Sequence, residues 1–128
     1  MDKGLTHIAL TVSDLEKSIR FYEKYASMSV AHKRSGAAWL KDGIRSFVIV
    51  LIESTDTIQP LRPDNHLGFA KGSVAEIDAL AAQADKEDCL IDGPTQSGPP
   101  IGYWVYISDP SGHTIEFSFG QEVESVVG

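Results

Sequence analysis

From Leu5 to Val12 the chain reads LTHIALTV, apolar residues alternating with small or polar ones. That period of two predicts a strand with one buried face. A helix is predicted next, because Asp14 is a favourable N-cap and Leu15, Ile19 and Tyr22 recur at helical spacing. Two short strands follow, near Met28–Lys33 and Ala37–Leu40, parted by a Ser35-Gly36 turn. Ile44–Ile52 is apolar and rich in β-branched residues, which predicts a well-buried strand. The same order then repeats. NHLGFAKG, from Asn65, alternates again, and Ser73 with Glu76 forms a capping box before an apolar stripe of Val74, Ile77 and Ala81. Cys89–Ile91, Tyr103–Ser108 and Thr114–Phe119 predict three last strands. His7 corresponds to His66, Asp14 to Ser73 and Leu15 to Val74, all at one constant spacing. The expectation is one α+β domain over residues 1–128, built of two βαβββ modules at about 1–55 and about 64–120. Asp56–Asp64, with Pro60 and Pro63, is the expected linker. Gly93–Gly102, GPTQSGPPIG, is expected to be a loop and a candidate lid.

Strand phase sorts the polar residues. Ile8, Leu10 and Val12 share one face of the first strand, so His7, Ala9 and Thr11 take the other. Leu67 and Phe69 match the apolar face in the second module, leaving His66, Gly68 and Ala70 opposite. In the last strand Ile115, Phe117 and Phe119 are apolar, leaving Thr114, Glu116 and Ser118 opposite. His7, His66 and Glu116 are thus all expected on faces turned away from the helices. Their same-face neighbours are small, which leaves room for a ligand. A carboxylate there needs a partner, and two imidazoles with a divalent cation would provide one.

Composition adds exclusions. Hydrophobic residues are 42% and charged residues 23% of the 128, as in globular domains. No run approaches the roughly 20 apolar residues that span a bilayer. The opening MDKGLTH lacks a basic and then apolar signal pattern, so a cytoplasmic protein is expected. Net charge is −7 and no basic stripe occurs, which argues against nucleic acid as a partner. Cys89 is the only cysteine and sits among acidic residues, so it is expected to pack rather than react.

Two segments, LTHIALTVSDLEKSIRFYE at the start and YISDPSGHTIEF near the end, resemble the vicinal oxygen chelate superfamily. That group includes glyoxalase I, extradiol dioxygenases, fosfomycin resistance proteins, methylmalonyl-CoA epimerase and bleomycin resistance proteins. The resemblance implies that two modules supply eight strands curving into a cup around a metal-centred pocket, with helices on the outer face. The cup closes either within one chain or across a homodimer, and dimers are common in the family. By position it implies His7, His66 and Glu116 as metal ligands. The fourth family position falls level with Val50, which cannot ligate. Glu53 is near but out of phase, and only a bulge would bring it to the site.

Three ligands resemble the set of extradiol dioxygenases and fosfomycin-modifying transferases more than that of glyoxalase I. Tyr106 takes a place like that of a substrate-facing tyrosine in both groups, so Tyr106 and Glu116 are the expected catalytic residues. The expected function is that of a metal-dependent dioxygenase, lyase/isomerase or thiol transferase. A divalent ion (Fe, Mn, Zn, Ni or Co) would chelate vicinal oxygens of a small-molecule substrate and stabilise an oxyanion or enediolate. The alternative is a metal-free protein that sequesters a small ligand, like the bleomycin resistance proteins. His113 is expected to be a turn residue and His32 to be exposed, while the phase of Trp39 stays open.

Overall fold

A computed structural model describes residues 1–123 and 127. The chain divides into two compact units, Met1–Gln59 and Pro60–Gly128. The first holds β1 (His7–Val12), α1 (Leu15–Ala26), β2 (Ser29–Arg34), β3 (Ala37–Lys41) and β4 (Val48–Glu53). The second holds β5 (Leu67–Ala70), α2 (Val74–Lys86), β6 (Leu90–Gln96), β7 (Tyr103–Ser108) and β8 (Thr114–Phe119). This is the α+β pattern of two βαβββ modules read from the sequence. Among the described residues no helix is long and apolar enough to cross a membrane.

Each unit is one four-stranded sheet, ordered β1-β4-β3-β2 in the first and β5-β8-β7-β6 in the second. The outer pairs β1/β4 and β5/β8 are parallel, and the remaining pairs are antiparallel. In the first unit Leu10, Val12, Ile49, Leu51, Ala38 and Leu40 are buried on the face that α1 packs against. In the second unit Ile115, Phe117, Val105 and Ile107 are buried with Ile77, Ala81 and Ala84 of α2.

Both caps form as the sequence indicates. Asp14 Oδ1 accepts from the Lys17 backbone N–H at 3.0 Å, and Ser73 Oγ accepts from that of Glu76 at 3.2 Å. Glu76 Oε2 in turn accepts from Gly72 N–H at 2.6 Å. Val74 departs from the predicted stripe and is 42% exposed, while Ile77 and Ala81 are buried as expected.

Four strand boundaries differ from expectation. β5 begins only at Leu67, so His66 precedes the strand it was expected to lie in. β1 begins at His7, leaving Leu5 exposed. β4 begins only at Val48, because Asp42 accepts from the backbone N–H groups of Ile44 and Arg45 and holds the chain in a turn. Ile44 is accordingly 83% exposed. β6 runs to Gln96, into the segment read as loop, so the irregular stretch shrinks to Ser97–Gly102. Register shifts between Leu90 and Asp92 and between Asp92 and Thr95 absorb Gly93-Pro94 into the ladder. Gly93 has φ +93°, and a Cβ there would stand 2.8 Å from the Trp104 carbonyl oxygen, so only glycine fits.

Glu53, the last residue of β4, accepts from the Leu15 N–H through Oε2 at 2.9 Å. It caps the first turn of α1 from across the sheet, on the helix side, and no bulge interrupts β4. Glu53→Ala should therefore lower stability by about 1 kcal/mol, the usual worth of a capping interaction. Urea unfolding with a wild-type midpoint would contradict that role.

Candidate metal and substrate site

β8 places the central carboxylate of the second unit. Ile115 and Phe117 are fully buried toward α2, so the two-residue period turns Glu116 to the opposite face. Across the ladder Glu116 pairs with Gly68 on one side and Tyr106 on the other. A Cβ on Gly68 would come within 3.3 Å of Glu116 Oε2, so the missing side chain makes room for the carboxylate. Glu116 is only 7% exposed. Burial pushes its carboxyl above the ordinary value of 4.5, and the neighbouring His66 pulls it part of the way back.

His66 stands just before β5. Its Nδ1 lies 2.7 Å from the Pro63 carbonyl oxygen. A carbonyl can only accept, so Nδ1 carries the proton and donates it. Nε2 is then the nitrogen facing Glu116, 3.5 Å from Oε2. Two acceptors at that distance need a proton or a cation between them. Donors about 2.0–2.2 Å from a shared ion lie roughly 2.8–3.6 Å apart at right-angled or tetrahedral geometry. A backbone-anchored Nδ1–H is also how metal-binding imidazoles are held. The His66–Glu116 pair therefore fits two donors of a divalent metal.

The loop carrying Pro63 is itself pinned by a residue that sequence reading undervalued. His113 is a core residue, 2% exposed, as well as part of a turn. Its Nδ1 accepts from Leu61 N–H at 2.9 Å, and Leu61 O accepts from Thr114 N–H at 2.8 Å. Asp109 Oδ1 accepts from the N–H groups of Ser111 and His113, closing the turn before β8. No periodic signal reports this, because the partner of His113 lies far away along the chain.

Tyr106 completes the row. Its ring centroid is 5.1 Å from that of His66 and 4.5 Å from that of Trp104. Among the described residues nothing hydrogen-bonds its hydroxyl. Burial first, then the carboxylates of Glu116, Asp64 and Asp92, raises its pKa above 10.0. The phenol thus keeps its proton at neutral pH and can donate to a substrate oxygen.

In the first unit, His7, Ala9 and Thr11 lie exposed on the face away from α1, as their phase predicts. His7 Nδ1 is 3.0 Å from Thr6 Oγ1. Ala9 pairs with Val50 as Gly68 pairs with Glu116, so Val50 occupies the position equivalent to the carboxylate. Trp39 pairs with Val50 and with His32, which puts it on that same face and resolves its phase. His32 is exposed as expected, with its ring 5.0 Å from that of Trp39. Glu53 faces the helix side and is engaged there. Within the second unit, then, the structure joins His66, Glu116 and Tyr106. Among the described residues no group of three His, Cys, Asp or Glu is gathered as a metal cage.

Residues 4–117 match the model of the glyoxalase/bleomycin resistance protein/dioxygenase superfamily. An uncharacterised protein of Pseudomonas aeruginosa is 38% identical, the alignment covering 94% of this chain and 91% of that protein. Glutathione transferase FosA of Serratia marcescens is 28% identical, over 94% of this chain and 83% of its own length. Among solved structures, a possible glyoxalase from Bacillus cereus superposes with a TM-score of 0.72 at 26% identity, covering 91% of this chain and 99% of its own.

The raised carboxyl of Glu116 has a pH signature. The folded protein holds this proton more tightly than the unfolded chain does. The stability it contributes is full below pH 4.5 and is lost as pH rises through the raised folded value. In chelator-treated protein, Glu116→Gln should be more stable than the parent at pH 7, and the gap should close near pH 4. Equal unfolding midpoints for the two proteins at pH 7 would show that burial does not govern this group.

Proposed function

The chain belongs to the glyoxalase/bleomycin resistance protein/dioxygenase superfamily, and from that premise we propose that it is a metal-dependent enzyme acting on a small molecule. His66 and Glu116 hold one divalent ion, and His7 supplies a third donor. His7 belongs to the first unit, so it reaches the pair either within one chain or from a second copy in a homodimer. The observation that carries this reading is the 3.5 Å approach of His66 Nε2 to a buried Glu116 oxygen, with Nδ1 already committed to Pro63. N and O donors of this kind suit Fe, Mn, Zn, Ni or Co.

When bound, such an ion supplies Lewis-acid chemistry, polarising substrate oxygens and stabilising the negative charge that develops on them. The chain's own residues do the rest. Pro63 fixes the ring of His66 through Nδ1. Gly68 keeps the space above Glu116 open to substrate. The Tyr106 hydroxyl donates a hydrogen bond to a substrate oxygen and moves a proton there during turnover. With Val50 in place of a fourth donor, the protein leaves several coordination positions for water and substrate. That favours dioxygenase or thiol-transferase chemistry over the four-ligand glyoxalase type.

A metal-free ligand-sequestering protein is the second reading. It is supported by the matched superfamily, which also takes in the bleomycin resistance proteins.

Elemental analysis of untagged protein separates the two readings. The enzyme reading expects about one metal ion per chain, lost in Glu116→Ala and His66→Ala and weakened in His7→Ala. Stoichiometric metal retained by Glu116→Ala, or none in the parent after incubation with each ion, would overturn it. In turnover assays with catechols, hemithioacetals and epoxides, Tyr106→Phe should keep its metal and lose about 10²-fold in kcat. Unchanged kcat would remove Tyr106 from the chemistry.

A further inference from the structure

Beyond the donor pair, the site face of the second unit carries a continuous run of rings. His66, Tyr106 and Trp104 follow one another at centroid separations of 5.1 and 4.5 Å. The indole N–H of Trp104 donates to Ser97 Oγ at 2.8 Å, which fixes the rotation of the ring. Trp104 and Tyr106 are both partly exposed, so their surfaces remain open to a ligand.

On the strands of this face the charge has one sign, and the exposed Arg62 lies in the loop before His66. The register of β6 with β7 puts Asp92 directly beside Tyr106, in the same cross-strand row as Glu116. None of the strands β5 to β8 contains a Lys or Arg. The next cation along the chain, Lys71, lies over the Phe117 ring and so on the α2 side. Ring faces carry the negative end of the aromatic quadrupole, which adds to the field of the carboxylates.

We propose that Trp104, Tyr106 and Asp92 form a subsite for a flat ring that is neutral or positively charged, and that they select against anionic ligands. The ring stacks along Trp104 and Tyr106 and directs its oxygens toward His66 and Glu116. Asp92 attracts a cationic ring and repels a carboxylate or phosphonate. This inference rests on the reading of the His66–Glu116 pair as the reactive end of the site.

The test is calorimetric titration of metal-free protein with three flat probes of similar size: N-methylquinolinium, 2-naphthamide and 2-naphthoate. The cation and the amide should bind, and the naphthoate should bind at least about tenfold more weakly. Asp92→Asn should weaken the cation and strengthen the naphthoate severalfold, opposite changes that a loss of folding cannot produce. Trp104→Leu should weaken the cation and the amide by about two- to tenfold, and Trp104→Phe should restore most of that loss. Naphthoate binding as tight as that of the other probes would overturn the proposal. So would an Asp92→Asn change that moves all three probes alike, or an absence of binding by every probe. Metal content is a separate readout. Protein that takes up no metal yet ranks the probes in this order would sink the metal reading and keep the subsite, and metal-bearing protein without the ranking would do the reverse.

Discussion

Burial of Ile115 and Phe117 holds the candidate site in place. Fully burying a side chain of this size is worth about 1.5–3 kcal/mol, and both lie between β8 and α2 with no exposed surface. A slip of β8 by one residue would turn them to the open face and drive Glu116 into the apolar layer. A carboxylate without partners in such a layer is costly. Packing and electrostatics therefore penalise the same error, and the register that buries two apolar side chains also presents the carboxylate. Gly68 and Tyr106 are then set beside Glu116 by the neighbouring ladders.

The two units use one scaffold for different ends. In the second, the cross-strand row runs Gly68, Glu116, Tyr106, Asp92. In the first, the corresponding row runs Ala9, Val50, Trp39, His32. Backbone positions are matched while the chemistry is not: a valine stands in the first unit where the second has a carboxylate, and an indole where the second has a phenol. The first unit offers His7 from its edge strand, with Ala9, Val50 and Trp39 apolar or aromatic and Thr11 and His32 polar on the same face. The acid that an equivalent donor set would need there, Glu53, is spent on the first turn of α1.

The orientation of His66 comes from outside any regular element. Its Nδ1–H is fixed by a carbonyl in the Leu61–Pro63 segment, and that segment is tied to β8 by His113 and Thr114. Asp109 shapes the turn that presents His113. Residues with no claim to touch a substrate thus decide which nitrogen of His66 faces the carboxylate. An imidazole anchored in this way gives up rotational freedom once, on folding, rather than each time a ligand binds.

Local periodicity was enough to read much of this protein from its sequence. Alternation and helical spacing give the repeated βαβββ order, and the caps at Asp14 and Ser73 follow from short-range hydrogen bonding. Strand phase alone separates His7 and Glu116 from the apolar face and sets Val50 level with Glu116, because side-chain direction in a strand follows from residue number; Tyr106 is singled out only by the resemblance to the superfamily. Features that depend on a distant partner were decided only by the tertiary structure. His113 becomes a buried acceptor because Leu61 arrives beside it. Glu53 becomes a helix cap because β4 ends next to Leu15. Gly93-Pro94 enters a ladder because bulges in β6 accommodate it, where composition alone indicates a loop. Val74 fits the helical stripe yet stays 42% exposed in the folded unit. The Asp92–Tyr106 neighbourhood arises the same way, since a register set by two bulges cannot be counted along the chain.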